Sequence, residues 1–132
     1  MKQAVLVKPE SFEIREVPVP EITDDQALIR VRAVGICGSD IHAYYGKHPF
    51  ISCPIVMGHE AAGDVVKIGK NVTNLKPGMR VVMRPQKVCG ECYLCKTGRF
   101  NICKKLEVIG CQCTGASSDY FAADANLLYE LP

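Results

Sequence analysis

The segment ALIRVRAV alternates strictly, with Ile29, Val31 and Ala33 on one side and Arg30 and Arg32 on the other. A period of two predicts a strand buried on one face. Residues 3–7 and 12–17 read as shorter strands, and Pro18 and Pro20 then stop any ladder because proline has no N–H to donate. Another strand is predicted over residues 64–68. The Lys76, Pro77, Gly78, Met79 turn leads into one more at Arg80 to Met83. Pro77 presets φ and Gly78 supplies positive φ, as a type II turn needs. Long helical periodicity is absent, although Ser39 is a candidate N-cap for a short helix reaching position 45. The expected fold class is mainly β, with short helices and long loops.

Composition narrows this further. A chain of 132 residues with 48% hydrophobic content suits one domain with a real core. The formal charge of +2 comes from intermixed acids and bases, so the one-sided basic footprint of a nucleic-acid binder is missing. No apolar run approaches the roughly 18 residues of a spanning helix, and the N-terminus lacks a secretory h-region. The expectation is a soluble, cytoplasmic protein with no membrane partner. No glycines stand at i and i+2, so neither GxGxxG nor GxxxxGK is present to cradle a nucleotide.

The eight cysteines bring in chemistry. They form about 6% of the chain, under the roughly 8–10% of disulfide scaffolds, and four cluster in CGECYLCKTGRFNIC. Without an export signal, clustered thiols point to metal. Cys89, Cys92, Cys95 and Cys103 follow C-x2-C-x2-C-x7-C, with Gly90 and Gly98 relieving the backbone at sharp turns. Four thiolates saturate a tetrahedral zinc and leave no open position, so such a site is structural. Iron in the same cage, or two disulfides, are the alternatives. Lys87, Lys96, Lys104 and Lys105 either offset the tetrathiolate charge or are solvated surface residues.

A second constellation is spread along the chain. GICGSDIH holds Cys37, Ser39, Asp40 and His42, and GHEAAGDVVKIGKNV places His59 beside Glu60. Adjacent strand residues point to opposite sides, so His59 and Glu60 reach one ion only if the backbone bends or the carboxylate swings. With Cys37 they make a candidate triad for a zinc that keeps an open position, suited to hydrolysis or alcohol oxidation.

GHEAAGDVVKIGKNV fits the G-H-E-x2-G-x5-G-x2-V signature at every fixed position, and the order CGSDIH, GHE, four-cysteine lobe runs from IREVPVP to NLLYELP. The chain thereby resembles the zinc-containing alcohol dehydrogenases of the medium-chain dehydrogenase/reductase superfamily, especially the polyol, threonine and sugar-acid branch. The resemblance implies a GroES-like, partly open β-barrel with a zinc-binding lobe over residues 1–132. It implies Cys37 and His59 as ligands of a catalytic zinc, with Glu60 either a direct ligand or one that exchanges with water. Asp40 is then the carboxylate behind the zinc histidine, Ser39 the hydroxyl that takes the alcohol proton, and His42 the next relay station. The implied reaction is oxidation of a secondary alcohol to a ketone, through an alkoxide on zinc, with hydride passing to NAD or NADP.

The family's Rossmann nucleotide domain follows this one, so the sequence is expected to be an N-terminal piece, inactive alone, of an enzyme that is a homodimer or homotetramer. The tetrathiolate zinc is expected to stay bound and the triad to bind zinc weakly. The partner is a small-molecule alcohol, and its identity and the choice of NAD or NADP lie with residues past Pro132. The main alternative is a GroES-like binding module without redox activity of its own. A co-chaperonin has no need of GHE or CGSDIH, metal-free quinone reductases lack reason for Cys37 and the lobe, and the cysteine spacing is unequal for a zinc ribbon. GASSDYF puts Ser117 and Ser118 where the family usually shows an aromatic and a small residue. Cys111 and Cys113 are read as small hydrophobes near a strand. Arg84 is read as a surface arginine, and Cys53 has no assigned role.

Overall fold

The computed structural model describes residues 1–132 and carries nine short strands and two short α-helices. A hairpin pairs β1 (Lys2–Lys8) with β2 (Ser11–Glu16). The main sheet has five antiparallel strands in the order β8-β3-β4-β5-β9: β3 is Gln26–Gly35, β4 Glu60–Ile68, β5 Arg80–Met83, β8 Tyr120–Asp124 and β9 Leu128–Glu130. In the cysteine-rich excursion, β6 (Gln86–Lys87) pairs with β7 (Glu107–Val108). The fold is mainly β, and the sheets do not close into a barrel.

The core lies on one face of the main sheet, where Ala27, Ile29, Val65, Val81, Ala123 and Leu128 are all buried. The alternation expected along β3 holds only in part. Register shifts between Leu28 and Ile29 and between Val31 and Ala33 each reset the face a side chain takes. Ala33 is therefore exposed and Val34 packs on the core instead. Strand β5 and the Gly78 turn match expectation, Gly78 standing at φ 90 with Met79 N–H donating to Lys76 C=O. Strand β4 starts earlier than predicted, so His59 sits immediately before it.

A second, smaller cluster of Leu6, Ala43 and Met57 joins the hairpin to helix α1 (Gly38–Tyr44). Cys53 packs against this cluster. The cap of α1 corrects the sequence reading: its N-cap is Cys37, with φ −107 and ψ 176, and Ser39 lies within the first turn. Asp40 provides the capping bond, its Oδ2 accepting the Cys37 N–H at 2.9 Å. That is the back-reaching half of a capping box, and it frees the Ser39 hydroxyl for other use.

Candidate metal centres

The cysteine lobe is built from turns. Gly90 and Gly98 stand at φ 70 and φ 78, which glycine adopts without steric cost, and helix α2 (Tyr93–Lys96) fits between them. The Sγ atoms of Cys89, Cys92, Cys95 and Cys103 all lie within 4.8 Å of one another. Cys89 Sγ is 3.4 Å from Cys103 Sγ and 3.9 Å from Cys95 Sγ. Tetrahedral zinc at about 2.3 Å per bond needs sulfurs about 3.8 Å apart, so the donor set fits zinc.

Backbone amides support the same sulfurs. Cys92 N–H donates to Cys89 Sγ at 3.4 Å, Cys89 N–H to Cys103 Sγ at 3.4 Å and Lys105 N–H to Cys103 Sγ at 3.3 Å. Amides of Cys95 and Lys104 hold the Cys92 thiol down to about 6, while burial pushes Cys95 up to about 12. Lys105 bonds Glu91 at 2.7 Å and Lys87 lies 3.8 Å from Asp124, so both have carboxylate partners.

The lobe meets the sheet at Arg84, which is not the free surface residue expected. Its guanidinium lies 5.8 Å from the Phe100 ring and 5.9 Å from the Tyr129 ring, and Nε is buried without a hydrogen-bond partner. Contact with two aromatic faces accounts for that placement.

The second centre gathers residues far apart in sequence. Cys37 Sγ lies 3.0 Å from His59 Nε2 and 2.8 Å from Ser39 Oγ, and Ser39 Oγ is 3.4 Å from the same nitrogen. On the other side of the ring, His59 Nδ1 is buried without a hydrogen-bond partner, 3.6 Å from Asp40 Oδ1. Asp40 is itself buried. Cys37, Asp40 and His59 offer ligand atoms within 4.8 Å of one another, but Asp40 faces Nδ1 while the thiol faces Nε2. One ion bound by sulfur and Nε2 therefore does not reach Asp40. The carboxylate instead suits an Nδ1–H, which leaves the Nε2 lone pair directed at the thiol. Zinc ligands at about 2.3 and 2.0 Å in tetrahedral array stand about 3.5 Å apart, so the pair accepts an ion by opening about half an ångström.

The structure does not bring Glu60 into this centre. Glu60 is exposed, opposite Gly35 at the end of the β3–β4 ladder, and its carboxylate occupies the space where a Cβ on Gly35 would stand. His42 follows Ser39 by three positions on α1, on the same side of the helix, and is exposed. No bond joins His42 to Ser39.

One positioning feature escaped the sequence reading. The segment leading to His59 is held by residues 115–117: Gly115 N–H donates to Val56 C=O at 2.7 Å, Ala116 N–H to Gly58 C=O at 2.9 Å and Ser117 N–H to Met57 C=O at 3.0 Å. Gly58 stands at φ 92, and a Cβ on Gly110 would meet its backbone at 2.9 Å. The glycines at 58, 110 and 115 were the available signal. Cys111 is buried and Cys113 packs on the core, and burial pushes both thiols up, as expected of small hydrophobes.

Residues 23–132 match the family model described as the alcohol dehydrogenase GroES-like domain. L-Galactonate-5-dehydrogenase of Escherichia coli K12 is 47% identical over 115 residues, covering 86% of this chain and 33% of that enzyme. The crystal structure of galactitol-1-phosphate dehydrogenase from Escherichia coli superposes with a TM-score of 0.94 at 29% identity, covering 100% of this chain and 38% of that one. An alcohol dehydrogenase from Escherichia coli CFT073, solved with NADH, gives a TM-score of 0.92 at 34% identity, covering 100% and 38%. The chain thus spans roughly a third to two fifths of the length of these relatives. A match of this extent means that the chain belongs to the GroES-like domain family of the zinc-type, medium-chain alcohol dehydrogenases.

Proposed function

We propose that this chain is the N-terminal catalytic domain of a longer zinc-dependent NAD(P) dehydrogenase, which oxidises a secondary alcohol of the polyol or sugar-acid class to a ketone. The observation that carries this reading is the thiol–imidazole pair, Cys37 Sγ and His59 Nε2 at 3.0 Å with the Ser39 hydroxyl 2.8 Å from the sulfur. The hydroxyl-rich substrates in the names of the relatives support the substrate class.

In this reading Cys37 and His59 would hold the catalytic zinc, with Glu60 as a further ligand, direct or through water, in a side-chain position other than the one it takes against Gly35. Cys89, Cys92, Cys95 and Cys103 hold the structural zinc. Zinc at the first centre supplies Lewis acidity, which eases loss of the substrate hydroxyl proton. Ser39 Oγ receives that proton, and His42, exposed on the same helix, passes it to solvent. Asp40 fixes the His59 tautomer. NAD(P), held by a Rossmann domain further along the full polypeptide, supplies the hydride acceptor. The test is NAD+ reduction by the full-length polypeptide across a panel of polyols and sugar acids, with Cys37→Ser as control. Turnover on one panel member that vanishes in the variant is expected, and turnover that survives the substitution refutes the zinc role.

A further inference from the structure

We propose that the tip of the β1–β2 hairpin is a clasp that positions the helix bearing Ser39 and Asp40, with Glu10 and Tyr44 as its two halves. The proposal rests on the reading of Cys37 and His59 as metal ligands. A helix of seven residues does not persist through its own hydrogen bonds, so tertiary contacts must fix where its side chains stand relative to His59.

At the C-terminal end, Gly46 at φ 67 closes a Schellman motif. Its N–H donates to Ala43 C=O at 2.9 Å, Lys47 N–H donates to His42 C=O at 2.8 Å, and Tyr45 N–H reaches Ile41 C=O at 3.2 Å. The Tyr44 carbonyl remains, and the hairpin tip takes it: Glu10 N–H donates to it at 2.7 Å. The Tyr44 hydroxyl donates back to Glu10 C=O at 3.2 Å, and its ring stacks on Phe12 with centroids 5.9 Å apart and planes 9° from parallel. Glu10 is the one non-glycine residue at positive φ, 63°, a conformation side chains disfavour. Gly46 lies against Pro9, where a Cβ would meet Pro9 Cγ at 2.8 Å.

The underside of the helix completes the link. Ala43 is buried with Leu6 of β1 and with Met57, two residues before His59. The hairpin thus touches both the helix that carries Ser39 and Asp40 and the segment that delivers His59. Neither Tyr44 nor Glu10 touches the thiol–imidazole pair, so both are positioning residues.

The test uses the full-length polypeptide loaded with cadmium and read by 113Cd NMR, in which the number of thiolates separates the tetrathiolate ion from an ion at Cys37 and His59. Amide hydrogen exchange over residues 38–45 is read in parallel. Tyr44→Ala, and Glu10→Pro, which removes the donating N–H and cannot hold the φ of 63° at the hairpin tip, are each expected to weaken cadmium binding at the mixed centre severalfold, less than the roughly tenfold or more lost when a group bonded to a metal ligand is replaced. They also speed exchange in α1 while leaving the tetrathiolate resonance and exchange in the main sheet unchanged. Tyr44→Phe keeps the stack and the Glu10 N–H bond and restores most of the affinity. Glu10→Gly keeps the N–H, accepts positive φ, and behaves as the unsubstituted chain. The clasp is overturned if Tyr44→Ala and Glu10→Pro leave α1 exchange unchanged, or if they speed exchange equally through the main sheet. A lone tetrathiolate resonance in the unsubstituted polypeptide sinks the metal reading of Cys37 and His59, and exchange in α1 then decides the clasp by itself.

Discussion

Asp40→Asn separates the two tasks of one buried carboxylate. Oδ2 accepts the Cys37 N–H at 2.9 Å, and Oδ1 faces His59 Nδ1 at 3.6 Å. An asparagine keeps one oxygen acceptor, which takes over the capping bond in neutral form. A hydrogen bond to a charged group contributes about 1.5–3 kcal/mol and a neutral one about 0.5–1.5 kcal/mol, so the stability cost is about 1 kcal/mol. The second position changes sign, because an amide NH2 now faces Nδ1 where an acceptor stood. The imidazole answers by carrying its proton on Nε2, and the lone pair directed at the Cys37 sulfur is lost. Replacing a group behind a metal ligand weakens metal affinity about 10–100-fold, or about 1.4–2.8 kcal/mol.

Asp40→Ala provides the contrast. It removes the cap as well and leaves the Cys37 N–H without its partner, so its stability cost exceeds that of the asparagine while its loss of metal affinity is similar. Urea denaturation reads the first quantity, and competition of the mixed centre with a zinc chelator reads the second. Asparagine binding zinc as tightly as aspartate, at equal stability, would refute the assignment of His59 Nδ1–H to Asp40.

The lobe carries its own pH signature. Zinc must displace the proton of Cys95, held up to about 12, whereas Cys92, held down to about 6, is already a thiolate at pH 7.5. Calorimetry in buffers of different ionisation heat should therefore count fewer than four protons released per zinc at pH 7.5. The affinity should fall as pH is lowered, and more steeply through pH 6, where Cys92 begins to compete; release of four protons at pH 7.5 contradicts the thiolate state of Cys92. Burial pushes the Cys111 and Cys113 thiols up, so at pH 8 iodoacetamide should modify both more slowly than a free cysteine peptide. Equal rates, read by mass spectrometry, count against their place in the core.

Legibility in the sequence followed the range of the physics involved. Strand β5 and its turn were readable because Pro77 and Gly78 act on their own backbone. The pattern of β3 was readable as a strand and misleading about Ala33, since the bulge between Val31 and Ala33 is decided by pairing with β4, more than 25 positions away. Ser39 has the composition of an N-cap, yet Cys37 takes that position because Asp40 reaches back to its N–H. Arg84 looked like any surface cation; only the approach of Phe100 and Tyr129 shows why its Nε is buried.

The two centres differ in the same way. All four lobe sulfurs lie within 15 consecutive residues, and glycines at positive φ let short turns bring them together, so spacing alone carries most of the geometry. The thiol–imidazole pair joins residues 22 apart, and its geometry depends on three separate supports: the Asp40 cap, the 115–117 stretch alongside residues 56–58, and the hairpin under α1. Each support is a long-range contact with no periodicity to announce it. A motif can therefore name Cys37 and His59 while leaving open which ring nitrogen faces which partner. It also leaves open where Glu60 points, and the fold places that carboxylate against Gly35, outside the group of ligand atoms that Cys37, Asp40 and His59 form. Any entry of Glu60 into the centre thus requires a side-chain rotation out of the space that Gly35 alone provides, which makes Gly35, by its missing Cβ, the residue that permits the outward position of Glu60.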